Sequence, residues 1–227
     1  MIFIKDLKVA YGSHIVLDAL QLELATGQVH GLLGLNGSGK TTLLTAMLGL
    51  KTIQSGSIQY NNLPLTKKDL AFLDTQPFFY SKMTAQEYLD IVVPEEMHEK
   101  IQPIAQLLDF PLGEFAEHFS SGMKKKLAIA GVFLQTKPLL ILDEPFNSLD
   151  LEGGMALKAL IRQGRQQGKT ILITSHILET LTDICDQMHL LQNGSITKNY
   201  APAAFPEIQA DLFGGWETES RKWLEQL

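Results

Sequence analysis

The residues best equipped for chemistry lie in the run GLNGSGKTT, comprising Gly34, Asn36, Gly37, Ser38, Gly39, Lys40, Thr41 and Thr42. Its glycines let the backbone turn so that successive N–H groups converge on phosphate oxygens, where a Cβ would intrude. Val29, Leu32 and Leu33 before it predict a buried strand. Leu43, Leu44, Met47 and Leu48 after it recur at helical spacing. Strand, glycine turn, Lys-Thr and helix are the setting in which such a loop binds phosphate, with the helix N-terminus facing the anion. Lys40 is then placed to reach the β- and γ-phosphates and the Thr41 hydroxyl to ligate Mg²⁺. The bare pattern arises by chance in roughly one chain of this length in a hundred, and the flanking elements make chance a poor account. Nucleotide binding is expected.

A second constellation is Pro138-Leu-Leu-Ile-Leu-Asp143-Glu144-Pro145, an apolar strand ending in two carboxylates. Acids at the end of a buried strand are costly unless they meet a cation or solvent. Beside a phosphate loop, Asp143 suits Mg²⁺ and Glu144 suits orienting and polarising the attacking water. The rival reading is an Asp-Glu pair that caps the next helix.

Several elements must bring these residues together. Residues 2–9 and 15–24 alternate as strands, 57–60 and Leu70–Asp74 are short strands, and residues 84–135 carry helix signals. Thr84-Ala-Gln-Glu87 is a capping box. Leu107, Leu108 and Phe110 belong to a second helix ended by Pro111 and Gly113, and a third follows at 121–135. Strand and helix then alternate again, as strand Leu139–Leu142, helix 151–166, strand Thr170–Thr174 and helix 177–185. Asn193-Gly194 marks a hairpin. A chain of 227 residues, 45% hydrophobic and 19% charged, can bury a large core. A net charge of −6 argues against a protein whose main task is gripping a nucleic-acid backbone. The single cysteine, Cys185, leaves no internal disulfide and fits a reducing compartment. No apolar stretch approaches the roughly 18–20 residues of a membrane span, and the first residues show no leader, so a cytoplasmic location is expected.

From about residue 2 to 200 the sequence resembles the ATP-binding cassette (ABC) ATPases. Phe119-Ser120-Ser121-Gly122-Met123 stands at the place of the family signature Leu-Ser-Gly-Gly-Gln. Gln76 ends a strand as the family's Q-loop glutamine does. Asn147-Ser148-Leu149-Asp150 resembles the D-loop, and Thr174-Ser175-His176 the H-loop. Tyr11 falls where the family places an aromatic that stacks on adenine. The resemblance implies an α/β P-loop NTPase (RecA-like) core with an antiparallel β subdomain and an inserted α-helical subdomain at about 78–135. It implies ATP and Mg²⁺ as ligands, with Gln76 a further metal contact and His176 acting at the γ-phosphate or the attacking water. Ser120 and Gly122 would serve the nucleotide of a second subunit in a head-to-tail pair. Such a subunit is peripheral on the inner face of the cell membrane, held there by a separate transmembrane permease.

Taken singly, Gln76 also reads as an ordinary strand-end polar residue, His176 as a helix cap and Tyr11 as a turn aromatic. Ser121 and Met123 depart from the signature in a way that resembles the ABC-2 and bacitracin-export branch, implying an exporter. Lys124, Lys125 and Lys126 read either as a solvated helix face or as supplying one cation to a partner's nucleotide. Phe78-Phe79-Tyr80 reads either as a groove for a membrane partner's helix or as packing between lobes. His14, His30, His98, His118 and His189 show no metal-ligand spacing. Residues 201–227, with Trp216, Trp223, Leu224 and Leu227, read as an appended amphipathic, helical tail on the core or on a second subunit. The competing function is a soluble, non-transport ABC ATPase acting on ribosomes or DNA; one cassette, no heptad run and an acidic balance speak against it.

Overall fold

Residues 1–212 are described by the computed structural model. Strands β1 (Ile2–Tyr11) and β2 (His14–Leu24) form an antiparallel hairpin. The chain then enters β3 (Val29–Leu33), buried throughout, and passes through the glycine loop into α1 (Lys40–Met47). Strands β4 (Ser55–Tyr60) and β5 (Leu63–Pro64) extend the first hairpin into a four-stranded antiparallel sheet ordered β2-β1-β4-β5. After β6 (Leu70–Leu73) come the helices α2 (Ala85–Val92), α3 (Ile101–Leu108) and α4 (Ser121–Phe133). Then follow β7 (Leu139–Asp143), α5 (Leu151–Gln166), β8 (Thr170–Ser175) and the hairpin β9 (Gln187–Gln192) and β10 (Ser195–Tyr200).

The second sheet has six strands in the order β10-β9-β3-β8-β7-β6, parallel except for β10. Strands β3, β7 and β8 are buried on both faces, which is why they read as unbroken apolar runs rather than alternating ones. One face packs against α1 and the antiparallel sheet through Leu43, Leu44, Ile141 and Leu172. The other packs against α2–α5 through Leu127, Ile129, Leu157 and Ile161. The Thr84–Glu87 capping box forms as expected, each side chain meeting the other's backbone N–H.

Three expectations need correction. Residues 177–185 are no α-helix: a 3₁₀ turn covers only Leu178–Thr180. There Ser175 Oγ accepts from the Ile177 N–H and the Thr180 hydroxyl donates to the Ile177 carbonyl, local bonds that compete with the helical ladder. Phe110 lies outside α3, because Asp109 takes the left-handed conformation (φ 55°) and ends the helix. The lysine run is not a solvated face: Lys125 and Lys126 are buried. Of the tail, Phe205 and Ile208 join the large core cluster, and Tyr200 donates from its hydroxyl to Asp211 at 2.7 Å. Trp216, Trp223, Leu224 and Leu227 lie outside the described residues.

Candidate functional site: a phosphate cradle at the sheet edge

Parallel pairing fixes the site. Leu33 pairs with Ser175 and Asp143 with Thr174, so β3, β7 and β8 all end at one edge of the sheet. The residues that continue those strands (the glycine loop, Glu144 and His176) are thereby delivered to the same place, as the C-terminal edge of a parallel sheet does for ligands. A cavity of about 670 Å³ opens there, lined by Asn36, Gly37, Gly39, Lys40, Thr41 and Thr42 from the loop side and by Asp143 and Glu144 opposite.

The loop's conformation explains its composition. Gly37 (φ 83°) and Gly39 (φ 109°) occupy backbone regions that other residues rarely adopt. A Cβ on Gly37 would meet no protein atom within 4 Å, so it is the positive φ and not crowding that favours glycine there. Ser38 is buried, and its Oγ has no hydrogen-bond partner among the described residues. The tip of the β9–β10 hairpin braces this loop. Gly194 N–H donates to the Ser38 carbonyl at 3.2 Å, and the Gly194 carbonyl accepts from Asp18 N–H at 3.3 Å, tying the loop to the antiparallel sheet.

The acidic wall is equally ordered. Asp143 Oδ1 accepts the Thr174 hydroxyl at 2.5 Å, and Oδ2 accepts the Thr75 hydroxyl at 2.8 Å. Thr174 Oγ1 also accepts the Glu144 N–H at 2.9 Å. Glu144 Oε2 lies 2.9 Å from His176 Nδ1; a carboxylate only accepts, so that nitrogen carries the proton. Lys40 Nζ donates to the Gly34 carbonyl at 2.6 Å. Burial lowers the Lys40 pKa below the ordinary lysine value, while the charges of Glu144 and Asp143 oppose that shift. A lysine between two carboxylates and a glycine cradle is a setting for a polyphosphate with its cation. The hard oxygen donors of Thr41 and Asp143 in that cavity fit the cation, Mg²⁺.

The remaining residues singled out in the sequence lie elsewhere. Gln76 follows β6 by three residues rather than ending it. Its N–H donates to Asp74 Oδ1, and it borders an adjoining cleft shared with Thr41, Thr75 and Asp143. Tyr11, exposed at the end of β1, does not line the cavity; the neighbouring His14, Ile15 and Val16 do. Lys51 Nζ sits 3.6 Å from the centre of the Tyr11 ring. Ser120 and Gly122 do not line the cavity either. Ser120 caps α4 by accepting the Met123 N–H, and a Cβ on Gly122 would come within 2.7 Å of the Ser148 carbonyl. The α4 start is thus packed against the 147–150 turn, where Asp150 caps α5 and pairs with Lys126 at 3.2 Å. Thr75 was missed beside Gln76, and Lys125 was read only as part of a solvated lysine face, because their partners, Asp143 and the Asp74 and Thr75 carbonyls, are made neighbours by the fold alone.

Residues 17–147 match the family model described as ABC transporter. The chain is 30% identical over 210 residues to the ABC-type transporter ATP-binding protein EcsA of Bacillus subtilis (strain 168), covering 86% of this chain and 85% of that one. It is 33% identical over 232 residues to the bacitracin transport ATP-binding protein BcrA of Bacillus licheniformis, covering 97% and 72%. A solved ATP-binding subunit of an ABC transporter superposes with a TM-score of 0.86 at 30% identity, covering 93% and 94%. The dimeric post-hydrolysis structure of the cassette MJ0796 bound to ADP and Pi superposes with a TM-score of 0.79 at 19% identity, covering 89% and 99%. The chain belongs to the ABC transporter family as one of its ATP-binding, P-loop ATPase subunits.

Proposed function

We propose that this chain is a Mg²⁺-dependent ATPase that closes on a second copy around two ATP molecules and drives a separate transmembrane permease in export. The observation carrying the reading is a division of labour. Lys40, Asp143 and Glu144 share one cavity, whereas Ser120 and Gly122 stand at the N-terminus of the 13-residue α4 and do not line it. A helix N-terminus with a serine cap suits a phosphate oxygen, and here the phosphate belongs to the opposing copy's nucleotide.

In this mechanism Asn36, Gly37, Ser38 and Gly39 hold the β- and γ-phosphates through backbone N–H groups, Thr42 supports the loop, and Lys40 neutralises charge at the β–γ bridge. Thr41, Asp143 and Gln76 would hold Mg²⁺, which would neutralise charge on the phosphate oxygens. Glu144 orients a water for in-line attack on the γ-phosphorus and accepts its proton as the bridging oxygen departs to ADP. His176 holds Glu144 in place and faces the γ-phosphate. Tyr11 and the His14–Val16 strand start take the adenine. Residues 1–200 form the ATPase domain, within which the helices at 78–135 move as a lobe. Phe78 and Tyr80 are 78% and 67% exposed, whereas Phe79 turns inward onto Tyr88 with ring centres 4.8 Å apart. That outward aromatic pair receives the permease's cytoplasmic segment, placing the chain on the inner membrane face. Among the described residues no helix is long and apolar enough to cross a membrane itself. The relatedness to a bacitracin transport protein supports export. Reconstitution with the permease tests the reading: ATP consumption should rise with transport, and a permease that moves its cargo equally well without this chain would overturn it.

A further inference from the structure

Lys125 is a cation in an expensive place. It lies one turn into α4, is 1% exposed, and makes no ion pair among the described residues. Its ammonium donates instead to two backbone carbonyls, those of Asp74 and Thr75, each at 3.0 Å. Burial depresses its pKa to about 8, with the charge of Asp143 the first of the influences opposing that shift. Filling that space with a methionine would avoid the desolvation, so the charge must earn its place through what it holds.

It holds the segment between β6 and Pro77, which belongs to no strand or helix. The Thr75 hydroxyl in this segment donates to Asp143 Oδ2, while Thr174, locked in β8, donates to Oδ1. Two donors define the carboxylate's plane, and one of them sits on a loop that Lys125 anchors. We propose that Lys125 is a positioning residue for the metal-binding carboxylate, acting through Thr75 on Asp143. One side chain thereby links the metal site to the helix whose first turn presents Ser120 and Gly122 to the other nucleotide. Displacing α4 changes Asp143's orientation, so closure of the pair is felt at Mg²⁺ in both copies. The inference rests on Asp143 holding Mg²⁺.

The test is calorimetric titration of Mg²⁺ into protein saturated with a non-hydrolysable ATP analogue. Lys125→Met and Thr75→Val should each weaken Mg²⁺ affinity about tenfold, with analogue affinity in EDTA unchanged. The double variant should be no weaker than the worse single by more than about twofold, because both act through one contact. Lys125→Arg, which can donate to both carbonyls, should recover most of the loss. A Lys125→Met protein that binds the analogue in EDTA and takes up Mg²⁺ like the wild type overturns the proposal, as does a double variant whose loss is the product of the singles. Should Lys125→Met not fold, Thr75→Val decides alone: Mg²⁺ uptake like the wild type's, with analogue binding in EDTA intact, overturns the proposal. Asp143→Asn separates the two levels. If it leaves Mg²⁺ affinity intact, the metal reading itself falls; if it weakens affinity while Lys125→Met does not, only the positioning role falls.

Discussion

Glu144 holds a left-handed backbone conformation, φ 46°, that a glutamate rarely adopts and that costs on the order of 1–3 kcal/mol. The surroundings impose it: its N–H is fixed by Thr174 and its carboxylate by His176. Strain of this kind directs a side chain across the end of β7 rather than along it. Glu144→Gln keeps the shape and removes the proton acceptor, so ATP affinity should be retained while kcat falls about 10²- to 10⁴-fold, measured by phosphate release at saturating ATP. The contiguous motifs were legible because chemistry and spacing coincide in them. Lys40-Thr41 and Asp143-Glu144 each lie within a few residues of the strand that positions them. Lys125 and Thr75 were not legible, since one binds backbone carbonyls 50 residues away and carbonyls leave no mark in a sequence. Three consecutive lysines look like solvent-facing charge until the neighbouring loop folds over the middle one.

At the scale of elements, the site depends on β3 staying registered against β9, and a buried histidine pair lies between them. His30 Nδ1 and His189 Nε2 are 3.0 Å apart, and the outer nitrogens meet the Ala25 carbonyl and Asn199 Oδ1. These histidines have no metal-ligand spacing, and the structure uses them as a polar rivet across the sheet. Burial lowers both pKa values, that of His189 to about 4. The unfolded chain, titrating near 6.5, therefore binds more protons than the folded one between those values. Stability is full above about pH 6.5 and is lost as pH falls towards 4. His189 alone contributes on the order of 3 kcal/mol to that loss. Urea unfolding across this range should show the slope, and His189→Gln should flatten it. The α4 start offers a second test. Gly122→Ala places a methyl against the Ser148 carbonyl and should reduce stability by about 1–3 kcal/mol, read from the urea midpoint. The segment at 177–185 was misread because Leu178, Leu181, Ile184 and Cys185 recur at helical spacing. Leu181, Ile184 and Cys185 are indeed buried, but on an irregular chain pinned by Ser175 and Thr180.

For the whole molecule, two surfaces carry the proposed function: the α4 start facing a second copy and the Phe78–Tyr80 aromatics facing a permease. Exposed aromatics are the usual anchors of an interface, so Phe78→Ser should weaken retention by the permease about tenfold or more in detergent pull-down. The α/β architecture was legible from its uninterrupted apolar strands and the hairpin at Asn193-Gly194. How α4 leans on the 147–150 turn was not, because that contact depends on a glycine's missing side chain rather than on any pattern. The central claim is that each catalytic site is built from two copies. It is tested most directly by mixing Lys40→Ala protein with Ser120→Arg protein, each inactive alone. A head-to-tail pair of one of each assembles one intact site, so the mixture should regain up to about a quarter of wild-type ATPase activity. A mixture as inactive as its components would contradict the account.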